Sequence, residues 1–208
     1  MEIEKFVLGT FGVNCYILRL EQANIIIDPG ADFNIIRRYF NEAGNKPDMI
    51  LNTHGHYDHI GAVPEFIGEY RIPFYIHEAE EEIITDPLKN YSSYFDGNEL
   101  SLKTYNLITS KDKDYFTSLG IEIINTPGHT PGSLIIVAGN YLFSGDLLFN
   151  GGIGRTDLPG GDPQEIKRSL RGLKKLDGGL IVYPGHGENS VLREEFEKNY
   201  YLQDGFLQ

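Results

Sequence analysis

From Thr53 to His59 the chain reads Thr-His-Gly-His-Tyr-Asp-His, so His54, His56, Asp58 and His59 place four potential metal ligands within six residues. Imidazole and carboxylate are donors that zinc, iron and manganese take, and four of them exceed what one helix or strand face usually presents. Only six histidines occur in the 208 residues, and half of them are in this run. Three later blocks supply partners of the same kind: His129 in Thr-Pro-Gly-His-Thr-Pro-Gly, Asp146 in Phe-Ser-Gly-Asp, and His186 in Tyr-Pro-Gly-His-Gly. Metal coordination is the chemistry this pattern points to. A solvated loop with chance histidines would not find three matching blocks elsewhere.

A ligand has to be aimed by a rigid element, and each block follows an apolar, β-rich run: residues 49–51, 121–125, 141–143 and 180–183. Gly or Pro flanks each block, turning the chain sharply and letting backbone approach a site closely. Five of the six histidines therefore share one setting, a strand end followed by a tight turn. His77 is the exception: it lies in Phe-Tyr-Ile-His-Glu, where a strand gives way to an acidic helix, and it reads as structural.

Around these blocks the pattern alternates strands and helices, with no linker or low-complexity stretch. Residues 3–8, 14–20 and 24–28 read as an antiparallel meander, and residues 33–43 as a helix with Asp32 as N-cap and Gly44 as stop. A strand at 49–53 leads to a helix running from Asp58 toward Tyr70 that Pro64 breaks or bends, then to a strand at 73–76 and a helix at 78–85. Residues 86–118 carry the weakest pattern, and their Tyr91, Tyr94, Tyr105 and Tyr115 suit either a cover over the core or a pocket wall. Strands follow at 121–125, 133–138, 141–144 and 180–183, with helices at 163–175, where proline opens the first turn, and at 190–201. Periodicity alone gives a mixed α/β domain.

Taken in order, His-x-His-x-Asp-His, Gly-His129, Gly-Asp146 and Gly-His186 resemble the metallo-β-lactamase superfamily, and within it most closely the hydroxyacylglutathione hydrolase (glyoxalase II) branch. Asn14-Cys15-Tyr16, Ile27-Asp28-Pro29-Gly30, Gly154-Arg155-Thr156-Asp157 and the tail from Pro184 to Leu202 are similar to its short, stand-alone members. The resemblance implies an α/β fold of the four-layer αβ/βα sandwich type. It also implies a single domain over residues 1–208, without the C-terminal helical domain that adds glutathione contacts in the full-length enzymes. Two divalent ions are implied, zinc first with iron or manganese as alternatives. His54, His56 and His129 would hold one, Asp58, His59 and His186 the other, and Asp146 would bridge. Two ions about 3.5–4 Å apart make a shared water acidic enough to ionise at neutral pH. Its hydroxide would attack the carbonyl of a small thioester of the hydroxyacylglutathione kind. Asp58 would take a second, catalytic role by orienting the nucleophile. Arg155 falls near a basic residue that contacts the anionic end of glutathione, and so reads as substrate-binding; a structural pair with Asp157 or Asp162 is its other reading.

This chain departs from the glyoxalase II pattern after His186, where Gly187 and Glu188 stand in place of the usual tyrosine that touches the thiol substrate. The metal set is complete without that tyrosine, so thioester hydrolysis survives while recognition of glutathione itself does not follow. A mononuclear-iron persulfide dioxygenase, which also carries Gly-Arg-Thr-Asp, is the alternative function, and an RNA-processing nuclease of the same superfamily is a third.

Composition fits one enzyme domain with a small-molecule substrate. The net charge of −12 would repel phosphate backbones, which argues against a nucleic-acid partner. The five Lys/Arg of residues 167–175 read as the solvated face of an amphipathic helix. Cys15, the single cysteine, lies in an alternating apolar strand as a small hydrophobe with no adjacent base. Gly151-Gly152-Ile153-Gly154-Arg155 matches neither dinucleotide nor P-loop spacing, and no G-x-S-x-G elbow surrounds Ser133 or Ser144. The charged N-terminus lacks the apolar core of a signal peptide, and no apolar run approaches the roughly 18 residues a membrane span needs. No membrane partner and a cytoplasmic location are the resulting expectations.

Overall fold

Strands β1 (Glu2–Leu8), β2 (Val13–Arg19) and β3 (Asn24–Ile27) form the expected antiparallel meander, with Phe6 opposite Cys15 and Tyr16 opposite Ile27. They begin the first of two compact units, Met1–Thr109 and Ser110–Gln208, in a computed structural model that describes residues 1–95 and 99–208. The meander is followed by α1 (Phe33–Glu42), β4 (Met49–Leu51), α2 (Tyr57–Ile60), α3 (Val63–Tyr70), β5 (Phe74–His77), a 3-10 turn at Glu78–Glu80, α4 (Glu81–Thr85) and β6 (Asn106–Ile108). β3 through β6 pair in parallel, giving a six-stranded sheet in the order β1-β2-β3-β4-β5-β6.

Its core is built from strand residues such as Ile17, Ile26, Ile50 and Ile76 together with Ile36 and Phe40, spaced four apart on one face of α1. Two local expectations are corrected here. Asp32 occupies the N-cap position of α1 but is left-handed (φ 51°) and makes no capping bond; its Oδ2 instead accepts the Gly9 N–H at 2.8 Å. The helix expected from Asp58 to Tyr70 is two helices, with Pro64 in the first turn of α3, where its missing N–H costs nothing. Gly44 ends the first helix as expected, at φ 64°.

The second unit holds a 3-10 turn at Ser110–Asp112, then α5 (Lys113–Ser118), β7 (Ile121–Asn125), β8 (Leu134–Ala138) and β9 (Tyr141–Gly145). A short hairpin of β10 (Leu148–Phe149) and β11 (Gly152–Ile153) follows, then α6 (Pro163–Leu173), β12 (Ile181–Pro184), β13 (Ser190–Val191), α7 (Leu192–Lys198), a 3-10 turn at Tyr200–Leu202 and α8 (Asp204–Leu207). The five-stranded sheet runs β13-β12-β9-β8-β7, with β12 parallel to β9. α6 buries Ile166, Ser169, Leu170 and Leu173; of the five cations expected on its solvated face Arg168 and Arg171 are exposed, as are Lys174 and Lys175 just beyond its end, while Lys167 is half-buried over the Phe206 ring. Asp162 caps it, accepting the N–H groups of Gln164 and Glu165, and these bonds hold the Asp162 carboxyl below the usual carboxylate range. The expected helix at 190–201 is instead β13, α7 and a 3-10 turn.

Within the weakly patterned residues 86–118, Tyr105 packs against the first core while its hydroxyl donates to Glu81. Tyr94 and Tyr115 are exposed, and residues 96–98 lie outside the described set. Among the described residues no helix is long and apolar enough to cross a membrane.

Candidate metal centre

In the first unit the ligand run leaves the carboxyl end of β4 and enters α2. His54, His56 and His59 are 1%, 4% and 0% exposed, so their rings are placed by packing and are not left to solvent. The ring centroids of His54 lie 4.9 Å from His56 and 4.1 Å from His59, and the Asp58 Oδ2 lies 3.8 Å from His59 Nε2. Sequence reasoning thus named four residues that the fold brings together.

The protonation of two rings follows from their partners. His59 Nδ1 lies 2.9 Å from Asp28 Oδ2, and a carboxylate can only accept, so Nδ1 carries the proton. The Thr53 hydroxyl donates to the same Asp28 oxygen at 2.7 Å and therefore accepts from His54 Nδ1 at 3.1 Å. Asp28 also accepts the Thr53 N–H at 2.8 Å. Both rings are left presenting the Nε2 lone pair, the arrangement that a metal-bound imidazole shows when its other nitrogen is tied to a carboxylate or carbonyl.

Other backbone contacts fix the run. Gly55 N–H donates to the buried Glu80 at 2.8 Å, Asn52 Nδ2 donates to the His59 carbonyl at 2.7 Å, and Tyr57 N–H to the Asn90 carbonyl at 2.8 Å. Gly30 is obligatory for the packing: a Cβ there would stand 1.4 Å from the Asp58 carbonyl oxygen.

In the second unit the three ligand blocks leave one edge of the sheet. β7 and β9 both run antiparallel to β8, and β12 runs parallel to β9, so all three point their carboxyl ends the same way. His129, Asp146 and His186 follow those ends, where ligands of open α/β sheets gather. Asp146 Oδ2 lies 3.6 Å from His129 Nε2 and 3.8 Å from His186 Nε2, one carboxylate oxygen facing two imidazoles. His129 Nδ1 donates to the Arg155 carbonyl at 2.8 Å, which again leaves Nε2 as the lone pair. Gly154 makes this possible, since a Cβ would meet the Asp146 carbonyl oxygen at 1.8 Å.

Three residues carry this geometry without having been assigned a role from sequence: Asp28, Thr53 and Glu80. Asp28 did show a signal, for it ends an apolar strand ahead of Pro-Gly, the same setting as the ligands themselves. The side chain of Arg155 forms a two-pronged ion pair with Asp157, Nε to Oδ1 at 2.6 Å and Nη2 to Oδ2 at 2.7 Å, and the bond from Arg155 is the main reason the Asp157 carboxyl falls to about 2. Asp162 is engaged at the start of α6. Both side chains are well exposed. His77 Nδ1 accepts the Ala79 N–H at 3.2 Å, capping the 3-10 turn, and burial pushes its pKa down. Cys15 is fully buried, and burial followed by the Asp28 charge raises its thiol pKa, which rules out a thiolate nucleophile at neutral pH.

The described residues thus hold a His/Asp donor set of the kind that takes a divalent metal ion, and three of its imidazoles are oriented for Nε2 coordination. The family described as Metallo-beta-lactamase superfamily matches residues 8–186 of this chain. Among related proteins, the probable metallo-hydrolase YqgX of Bacillus subtilis is 34% identical over 99% of each chain. Hydroxyacylglutathione hydrolase GloC of Haemophilus influenzae is 28% identical over 97% of this chain and 98% of its own. Among solved structures, BLEG-1 B3 metallo-beta-lactamase matches with a TM-score of 0.88 and 33% identity over 97% of this chain and 100% of its own. TTHA1623, determined in a di-iron-bound form, matches with a TM-score of 0.83 and 31% identity over 96% and 100%.

Proposed function

Because the chain belongs to the metallo-β-lactamase superfamily and shares its fold, we propose that it is a dinuclear metal-dependent hydrolase of small thioesters. The ligand assignment is His54, His56 and His129 for one ion, Asp58, His59 and His186 for the other, and Asp146 shared. The observation that carries this reading is the single Asp146 oxygen facing both His129 and His186, residues assigned to different ions. The di-iron form of TTHA1623 is in keeping with two ions, and zinc, iron and manganese all suit these donors.

When bound, such a pair supplies Lewis acidity toward a carbonyl and a water that ionises near neutral pH. The chain's own residues set the stage. Asp28 and Thr53 keep the protons of His59 and His54 on Nδ1, and the Arg155 carbonyl does the same for His129. Asp58, the more exposed carboxylate of the first unit's cluster at 24% of its side chain, is proposed to orient the attacking water and accept its proton. Water and thioester give a carboxylic acid and a thiol. A thiol with a pKa of about 8.5 leaves as thiolate without prior protonation, whereas an amine does not. A thioester therefore needs no acid for its leaving group, which asks less of the chain than an amide does. The relative GloC, named for hydrolysis of a hydroxyacylglutathione, supports the same choice. The net charge of −12 disfavours a nucleic-acid substrate. Arg155 is proposed to meet an anionic end of the substrate, exchanging its Asp157 partner for it.

The likeness to BLEG-1 favours a second reading, hydrolysis of a β-lactam amide. One assay separates the readings. Metal-reconstituted protein is given a thioester panel with thiol release followed, a chromogenic β-lactam, and a persulfide with oxygen uptake followed. Thiol release without oxygen uptake is the expected result; oxygen consumption, or turnover of the β-lactam alone, would sink the thioester reading.

A further inference from the structure

Beside His56 the first unit carries an aromatic surface for which the metal ligands leave no task. The segment that follows α4 is anchored by Asn90 and Ser92, both fully buried. Asn90 Nδ2 donates to the Leu100 carbonyl at 2.8 Å, its Oδ1 accepts the Ser92 N–H at 2.9 Å, and Ser92 Oγ accepts the Leu100 N–H at 2.8 Å. The Asn90 carbonyl accepts the N–H of Tyr57, the first residue of α2, so the anchor is tied directly to the ligand run. Between these two buried residues Tyr91 has φ 72°, the left-handed region that a bulky side chain seldom enters.

Such a conformation persists only where its surroundings over-determine it, and it clusters at functional sites. Here it sets the Tyr91 ring edge-on to the His56 imidazole, with centroids 6.1 Å apart and planes at 86°. The Tyr94 ring lies 5.2 Å from that of Tyr91 and is 65% exposed. Packing alone would favour the opposite of what the loop does, which is to bury the polar side chains of Asn90 and Ser92 while Tyr91 stays half-buried and Tyr94 exposed. Flat aromatic area beside His56 is a surface from which an apolar group displaces water.

We propose that Tyr91 and Tyr94 form a specificity wall that receives an aryl group of the substrate, selecting arylated thioesters over compact ones. The proposal rests on the hydrolase reading for the molecule that carries the aryl group, and on His56 for its place.

The test is calorimetric titration of the zinc-loaded protein with two non-hydrolysable thioethers, S-benzyl and S-methyl mercaptoacetate. The natural protein should bind the benzyl compound about tenfold more tightly, the size of one well-made ring contact. Tyr91→Ala and Tyr94→Ala should each bring that ratio down to a few-fold at most, and Tyr91→Phe, which keeps the ring, should preserve it. Because the Tyr94 ring is largely exposed, Tyr94→Ala decides the matter even if Tyr91→Ala does not fold. Equal binding of the two compounds, binding of neither, or a ratio that survives in either folded alanine variant overturns the wall. The hydrolase reading fails separately: a ring-dependent preference without thiol release from any thioester would sink hydrolysis and leave the wall standing.

Discussion

Replacing Asp28 by Asn keeps the shape of a fully buried side chain while changing what it can accept. Asn is also among the few residues that tolerate the left-handed backbone found here (φ 52°), so the substitution does not add backbone strain as Asp28→Ala would. The carboxylate accepts from the Thr53 N–H, the Thr53 hydroxyl and His59 Nδ1. An amide has one accepting oxygen and an NH2 that only donates. If the oxygen stays on the Thr53 N–H, the NH2 faces two donors. The hydroxyl can rotate to accept, but it then offers its proton to His54 Nδ1. The His59 ring escapes only by moving its proton to Nε2, the atom needed for coordination. The wrong tautomer on two ligands should lower metal affinity about 10- to 100-fold, the range for loss of such supporting partners. A buried donor left facing a donor should also cost the metal-free protein about 1–3 kcal/mol. That corresponds to about 2–4 °C of melting temperature per kcal/mol for a chain of this size. Competition with a chromogenic chelator gives the first quantity, and calorimetry of metal-free protein gives the second. A lower melting temperature with wild-type metal affinity would show that Asp28 supports the fold and not the ligands. Wild-type values for both would refute the relay.

Asp146→Ala should lose both ions or bind them far more weakly, because one carboxylate oxygen faces His129 and His186; elemental analysis after dialysis showing two retained metals per chain would show the bridge to be assigned wrongly. Burial lowers the His77 pKa, so the unfolded chain takes up a proton first as pH falls through about 6.5, and the stability that the neutral ring contributes above that pH is lost on the acid side. His77→Gln should therefore show a smaller drop in melting temperature between pH 7.5 and pH 5.5 than the natural protein while keeping its metal content; an equal drop would refute the assignment. Arg155→Met should raise KM for an acidic thioester by a few-fold and leave kcat and neutral thioesters almost untouched, an exposed pair contributing little more than that. Asp157→Asn, which releases the guanidinium, should move KM the other way, and equal losses on both substrate types would make Arg155 structural.

The strand ends and turns that carry the proposed ligands were legible because their signal is local. A β-rich run followed by Gly and a donor fixes a strand end and a turn within a few residues, and β4, β7, β9 and β12 end within two residues of where that pattern places them. What supports the ligands is not local. Asp28 reaches Thr53 and His59 across 25 and 31 residues, and Glu80 reaches Gly55 across 25, so no window of sequence contains either partner set. The same distinction explains the errors. Asp32 has the right residue type before an amphipathic helix, yet a competing N–H from Gly9, 23 residues away, takes its carboxylate. β10, β11 and β13 are two-residue strands, too short for an alternation to register, and the last of these was absorbed into a helix.

The two units reach one result by different chemistry, and this separates what side chains can change from what they cannot. In the first unit the Nδ1 protons of His54 and His59 depend on the side chains of Thr53 and Asp28. In the second the Nδ1 proton of His129 goes to the backbone carbonyl of Arg155, while the guanidinium of the same residue turns to Asp157. One residue therefore carries two separable roles. Its carbonyl is held against His129 by the neighbouring Gly154, where no Cβ fits, and that contact does not depend on what side chain follows. Removing the guanidinium leaves the carbonyl in place, so a change of KM in Arg155→Met reports on the charge alone. No equivalent separation exists at Asp28, where a single carboxylate sets both neighbouring imidazoles at once.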